Sequence, residues 1–81
     1  MATNNNKNST VKYTATHEGR TRTRNSSKHV FAWASWCLRD DMGWGWVAGF
    51  HATRAAAQKS ADEMLRDGET VAVTEARPVA S

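Results

Sequence analysis

The sequence predicts a small α+β domain in the order β-β-β-α-β. It reads as an antiparallel three-stranded meander, one helix packed on one of its faces, and a short fourth strand. Three observations predict it. Residues 10–17, TVKYTATH, alternate between apolar and polar, the period of a half-buried strand. Residues 29–39, HVFAWASWCLR, and 44–51, WGWVAGFH, are apolar runs of strand length separated by the turn residues DDMG. Residues 54–67, RAAAQKSADEMLRD, are rich in good helix formers.

Each element has a local cause. In the first strand Val11, Tyr13 and Ala15 alternate with Lys12, Thr14 and Thr16. The polar segment EGRTRTRNSSK that follows is either a long loop or two strand ends joined by a tighter turn. The run 29–39 is apolar on both faces, as in a central strand. Thr53 is placed to cap the helix, and Gly68 to end it. Ala57, Ala61, Met64 and Leu65 form its apolar stripe. Residues 70–76, TVAVTEA, give the short last strand, and Pro78 halts regular pairing. The domain is expected over 10–76, with a disordered tail over 1–9 and a second tail over 77–81.

Pairing Arg39 with Trp44 across DDMG sets Trp33 opposite Phe50, Ser35 opposite Ala48 and Cys37 opposite Trp46. Phe31, Trp33, Trp46 and Phe50 then share a bulky face. The alanine-rich helix fits over it, so these four rings and the helix stripe make the expected core. The other face carries Val30, Ala32, Ala34, Trp36 and Leu38, with Val47 from the next strand. A sheet with one helix covers only one face, and an open apolar face marks an association site. A homodimer through these six residues is the expectation. The counter-reading is that a terminus or the 18–28 segment folds over them. A one-residue change in the loop swaps the two faces.

Charge is uneven. Residues 1–28 hold six cations against Glu18, net +5, and residues 29–81 hold five cations against seven acids, net −2. In an extended GRTRTR segment Arg20, Arg22 and Arg24 fall on one side, with Lys12 and Lys28 extending the stripe. Guanidiniums at that pitch suit a phosphate backbone; the bland alternative is a solvated arm. His17, His29 and His51 are expected at one end of a meander, beside the helix N-terminus. That cluster is the one conceivable metal site, although its spacings match no ligand motif.

No P-loop, no paired cysteines and no hydrolase or metalloprotease signature appears. A chain of 81 residues also struggles to enclose a deep pocket. The expectation is a non-enzyme without cofactor. One cysteine, Cys37, rules out a disulfide framework. With no apolar segment for export or membrane insertion, a soluble cytoplasmic protein is expected.

The runs YTATHEGRTRTRNSSKHVFAWA and WGWVAGFHATRAAAQKSADEML resemble small uncharacterised accessory proteins encoded by phages of actinobacteria. The resemblance covers most of residues 10–75. It implies a small accessory protein acting in a bacterial host cytoplasm, without a particular activity. From the residues, the expectation is binding of a host macromolecule, most readily a protein through the Trp36 face or the basic arm, or alternatively of nucleic acid through GRTRTR. The order of three strands then a helix is also similar to DNA-binding domains of plant transcription factors and of integrase arms. Those domains lay a basic sheet face in the major groove. Here the corresponding face carries Val30, Ala32, Ala34 and Leu38, and only Lys12, Arg39 and the GRTRTR arm compensate.

Overall fold

The computed structural model describes residues 10–79. The expected tail over 1–9 lies outside the described residues. The chain forms β1 (Val11–His17), β2 (Arg20–Ser26), β3 (Trp33–Arg39), β4 (Gly45–His51), α1 (Arg54–Arg66), β5 (Val71–Glu75) and β6 (Arg77–Pro78). The class is α+β, but there are two antiparallel three-stranded sheets rather than one meander: β2-β1-β6 and β4-β3-β5. α1 lies on the second sheet.

β2 arises from the tight-turn alternative. Glu18 and Gly19 both take positive φ, 50° and 77°, so two residues suffice to reverse the chain. His17 then pairs with Arg20, and the ladder runs to Val11 opposite Ser26. The β3–β4 connection is one residue longer than DDMG. A 3₁₀ turn at Asp40–Met42 leads into Gly43 at φ 74°, and Gly45 at φ 68° opens β4. Arg39 therefore pairs with Gly45, not Trp44. That slip turns every β4 side chain to the opposite face.

The slip reassigns the core. Ala34, Trp36 and Leu38 now lie opposite Phe50, Ala48 and Trp46. This bulky face is covered by the β1–β2 hairpin, whose Tyr13 and Ala15 join Phe31, Ala34, Trp36, Phe50 and Ala76 in one buried cluster. Tyr13 meets Phe31 edge-on with centroids 5.2 Å apart, and Phe31 meets Phe50 at 6.0 Å. Large rings suit the wide gap between stacked sheets, about 10 Å. The helix instead takes the face of small side chains. Ser35 and Cys37 pair with Gly49 and Val47, and Ala57 and Ala61 are fully buried over this sheet. Small against small lets the helix approach closely.

Of the expected core, Phe31, Phe50, Ala57 and Ala61 are buried, whereas Trp33, Trp46 and Met64 are half-buried and Leu65 is exposed. A helix seated on alanines leaves its larger flanking side chains at the rim. Thr53 caps α1 as expected, its Oγ1 accepting from the Ala56 amide at 3.1 Å. Gly68, at φ 89°, ends it.

The expected tail from residue 77 is corrected, because the chain after β5 crosses between sheets. Ala76 donates to the Ala32 carbonyl at 2.8 Å, and then Arg77 and Pro78 pair with Thr14 and Tyr13 of β1. Val79 closes the run by donating to Lys12 at 2.7 Å. Pro78 is tolerated because β6 is an edge strand. One side of the two-sheet stack is thus joined by continuous backbone. On the other side the edge strands β2 and β4 leave an open seam.

Candidate functional site

The seam is lined by the arginines of GRTRTR. Directly opposed residues of an antiparallel pair share a face. Arg20, Arg22 and Arg24 oppose His17, Ala15 and Tyr13, so all three turn toward the second sheet. The threonines face outward, where Thr16 and Thr21 join hydroxyls at 3.0 Å. Lys12, paired with Asn25, is on that outer face as well. It does not extend the arginine row, which corrects the expected stripe.

Each arginine has a distinct setting. Arg22 is half-buried and reaches across the seam, its Nε donating to the Trp46 carbonyl at 3.0 Å and its Nη2 to the Trp44 carbonyl at 3.2 Å. The first acceptor lies on the edge of β4 that no described strand covers, and the second just before that strand. Arg20 remains exposed and lies over Gly45, where a Cβ would come 3.1 Å from its Nη2. Arg24, also exposed, stands 5.4 Å from the centre of the Phe31 ring, a cation–π arrangement.

Beyond Arg24 the seam opens into a cleft of about 490 Å³. Arg24, Lys28, His29, Val30, His51 and Ala56 line it, with no carboxylate among its lining residues. Ser26 shapes the approach: its Oγ accepts from the amides of Lys28 at 3.2 Å and His29 at 2.9 Å. Ala52 and Ala56 bring the N-terminus of α1 to the cleft. Helix N-termini usually collect acidic side chains. The first turn of α1 has none and begins with Arg54, whose guanidinium lies 5.7 Å from the Trp33 ring. The positive end of the helix dipole is therefore not offset locally.

His51 is tied to the sheet on the cleft's inner wall. Its Nε2 and the Ser35 hydroxyl are 2.9 Å apart, and Ser35 donates to Ser60 of α1 at 3.3 Å. A Cβ at Gly49 would come within 3.4 Å of the Ser35 hydroxyl, so glycine keeps room for this contact. Burial, and secondarily the Arg24 charge, hold the imidazole below its ordinary pKa of 6.5. Ser35 is only 2% exposed. The pair fastens helix to sheet and presents no nucleophile to a substrate.

The expected association face is not open. Trp36 and Ala34 are wholly buried under the hairpin, and the Trp36 indole donates to the Thr74 hydroxyl at 2.9 Å. Val47 falls on the helix side, Ala32 and Leu38 are half-buried, and Val30 is exposed in the loop before β3. β1 covers this face through Tyr13 and Ala15, while the 18–28 segment, which the counter-reading offered with the termini as the cover, lies mainly at the seam as β2. The three histidines do not gather either: His29 and His51 line the cleft, but His17 lies apart from them. His17 stacks edge-on to Trp46, centroids 4.5 Å apart, near the start of β4, whereas His51 ends that strand. Among the described residues no group of three histidine, cysteine or carboxylate side chains is placed to hold a metal ion. No helix among them is long and apolar enough to cross a membrane.

Sequence reasoning missed Arg54, the Ser35–His51–Ser60 chain and the bridging role of Arg22. Only Gly49, within an otherwise side-chain-bearing run Val47–Ala48–Gly49–Phe50, hinted at a close side-chain contact opposite it. Compared with known proteins, the chain matches no family model, no curated protein and no solved structure.

Proposed function

We propose that this protein is a non-enzymatic binding module that takes the phosphate backbone of a nucleic acid along the β2–β4 seam. One observation carries the reading: Arg20, Arg22 and Arg24 line the seam in a row, and the row ends in a carboxylate-free cleft with Lys28 and His29. The arginines recur every second residue, about 6.6 Å apart along a strand, close to the spacing of successive phosphates. Guanidiniums suit phosphate oxygens, and the positive end of the α1 dipole, with no acidic side chain in its first turn, adds to the field.

A homodimer through the Trp36 face loses its surface, because the hairpin occupies it. A small phosphate-binding module fits the accessory role that the likeness to phage proteins implies. It does not use the sheet-face docking of the plant and integrase domains, since here both faces of the β4-β3-β5 sheet are covered, one by the hairpin and one by α1.

The test is fluorescence anisotropy with a labelled mixed-sequence oligonucleotide at about 50 and 200 mM salt. Three to four phosphate contacts on a duplex predict a loss of roughly 40- to 150-fold in affinity between the two salts. Arg24→Ala with Lys28→Ala should abolish most binding at the lower salt. Absence of binding at 50 mM salt overturns the reading.

A further inference from the structure

Trp44 has no part in the core. It is 54% exposed in the β3–β4 turn, and Met42 beside it is exposed to the same degree. A single exposed apolar side chain is ordinary on a protein surface; what sets Trp44 apart is its place at the end of the arginine row. The backbone that carries it is held by the two guanidiniums at the other end of the seam from the cleft. Arg22 holds the Trp44 carbonyl at 3.2 Å, and Arg20 lies over the adjacent Gly45. Gly43 and Gly45 on either side both take left-handed backbone, which sets the course of the chain through Trp44.

We propose that Trp44 is a base-stacking platform and that the ligand of the seam is a single-stranded nucleic acid. This rests on the phosphate-binding reading above and names its substrate class. An exposed aromatic face beside a row of cations is how single strands are held without sequence readout: phosphates follow the charge and an unpaired base lies on the ring. A duplex keeps its bases stacked inside and has none to offer. A protein partner would also accept an indole, but it has no regular negative charge to match Arg20, Arg22 and Arg24. Glu18 and Asp40 occupy the two turns at the Trp44 end. The phosphates therefore lead away from them, along β2, toward Arg24 and Lys28. Four residues of strand separate Arg20 from Arg24, about 13 Å, so the seam spans two to three nucleotides with one base on Trp44.

The test compares three labelled probes of equal length and charge at about 50 mM salt: a mixed single-stranded DNA, its RNA counterpart, and an abasic strand that keeps every phosphate. The expected result is weaker binding of the abasic strand by about tenfold, the worth of one stacked base. Trp44→Ala should cost the normal strands a similar factor and leave the abasic strand unchanged. Trp44→Phe should restore most of the loss, which separates lost stacking from lost folding. Equal affinity for normal and abasic strands, with Trp44→Ala neutral, would overturn the stacking platform while leaving phosphate binding intact. If none of the three probes binds, the phosphate reading itself falls and the platform with it. A preference between DNA and RNA identifies which strand the site accepts.

Discussion

Arg22 of β2 and Trp46 of β4 are joined by a 3.0 Å hydrogen bond from guanidinium to backbone carbonyl, across a seam that no strand ladder closes among the described residues. A second bond, to Trp44, makes the guanidinium a two-toothed bridge. Hydrogen bonds from charged donors contribute about 1.5–3 kcal/mol. Arg22→Ala should lower unfolding free energy by that amount in urea titrations. Arg22→Lys keeps the charge but lacks the planar fork, so it should recover only part. A loss under about 0.5 kcal/mol in the alanine variant would mean that the bridge holds nothing together.

The Trp36 indole is fully buried and its N–H has one acceptor, the Thr74 hydroxyl. Thr74→Val removes the acceptor and strands the donor, at a cost of about 1–3 kcal/mol. In a Trp36→Phe background the donor is gone and the same change should cost far less. The double-mutant cycle measures that difference. Strict additivity of the two changes would show that the bond is not coupled as drawn.

Gly43 and Gly45 share a left-handed backbone but not their surroundings. A Cβ at Gly43 meets nothing within 4 Å, whereas one at Gly45 meets Arg20. Alanine at either site should cost about 1–2 kcal/mol for the backbone alone. The Arg20 guanidinium is the end of a flexible side chain and yields by a few tenths of an ångström. The two variants should therefore melt alike. A markedly lower melting temperature for Gly45→Ala would show that Arg20 is rigidly held.

His51 gives stability a pH dependence of definite sign. Its folded pKa lies below the ordinary 6.5, so between the two values the unfolded chain binds more protons. The contribution is complete above about pH 6.5 and is lost as pH falls through the folded pKa. Urea midpoints should decline from pH 7.5 to pH 5, and His51→Gln should flatten part of that slope. An unchanged slope in the variant would assign it to other groups.

How much of this was legible depends on which forces act locally. The strand at 11–17, the cap at Thr53, the alanine face of α1 and the stop at Gly68 follow from neighbours in the sequence. β2 hides because Arg and Thr alternation reads equally well as a loop. Its identity rests on whether Glu18 accepts a positive φ, which composition does not reveal. The β3–β4 register turned on one residue, since DDMG alone does not say whether Trp44 belongs to turn or strand. From that residue the faces followed, and with them the fate of Trp36. The arginine row was visible as a row, but its partners are backbone carbonyls, which no side-chain pattern encodes. Trp44 could be placed at the strand edge, but not beside Arg20.

The crossing at Ala76 also orders events in time. The hairpin closes through contacts near in the chain, and β3, β4, α1 and β5 form a contiguous block from Trp33 to Glu75. Both can assemble early, because short loops close at low entropic cost. Docking one on the other is the long-range step, and the strand pairing that joins them is the short one made by Arg77 and Pro78. The segment after Glu75 thus acts as a latch, because its pairing with β1 ties the sheet that carries Trp36 to the hairpin that covers it.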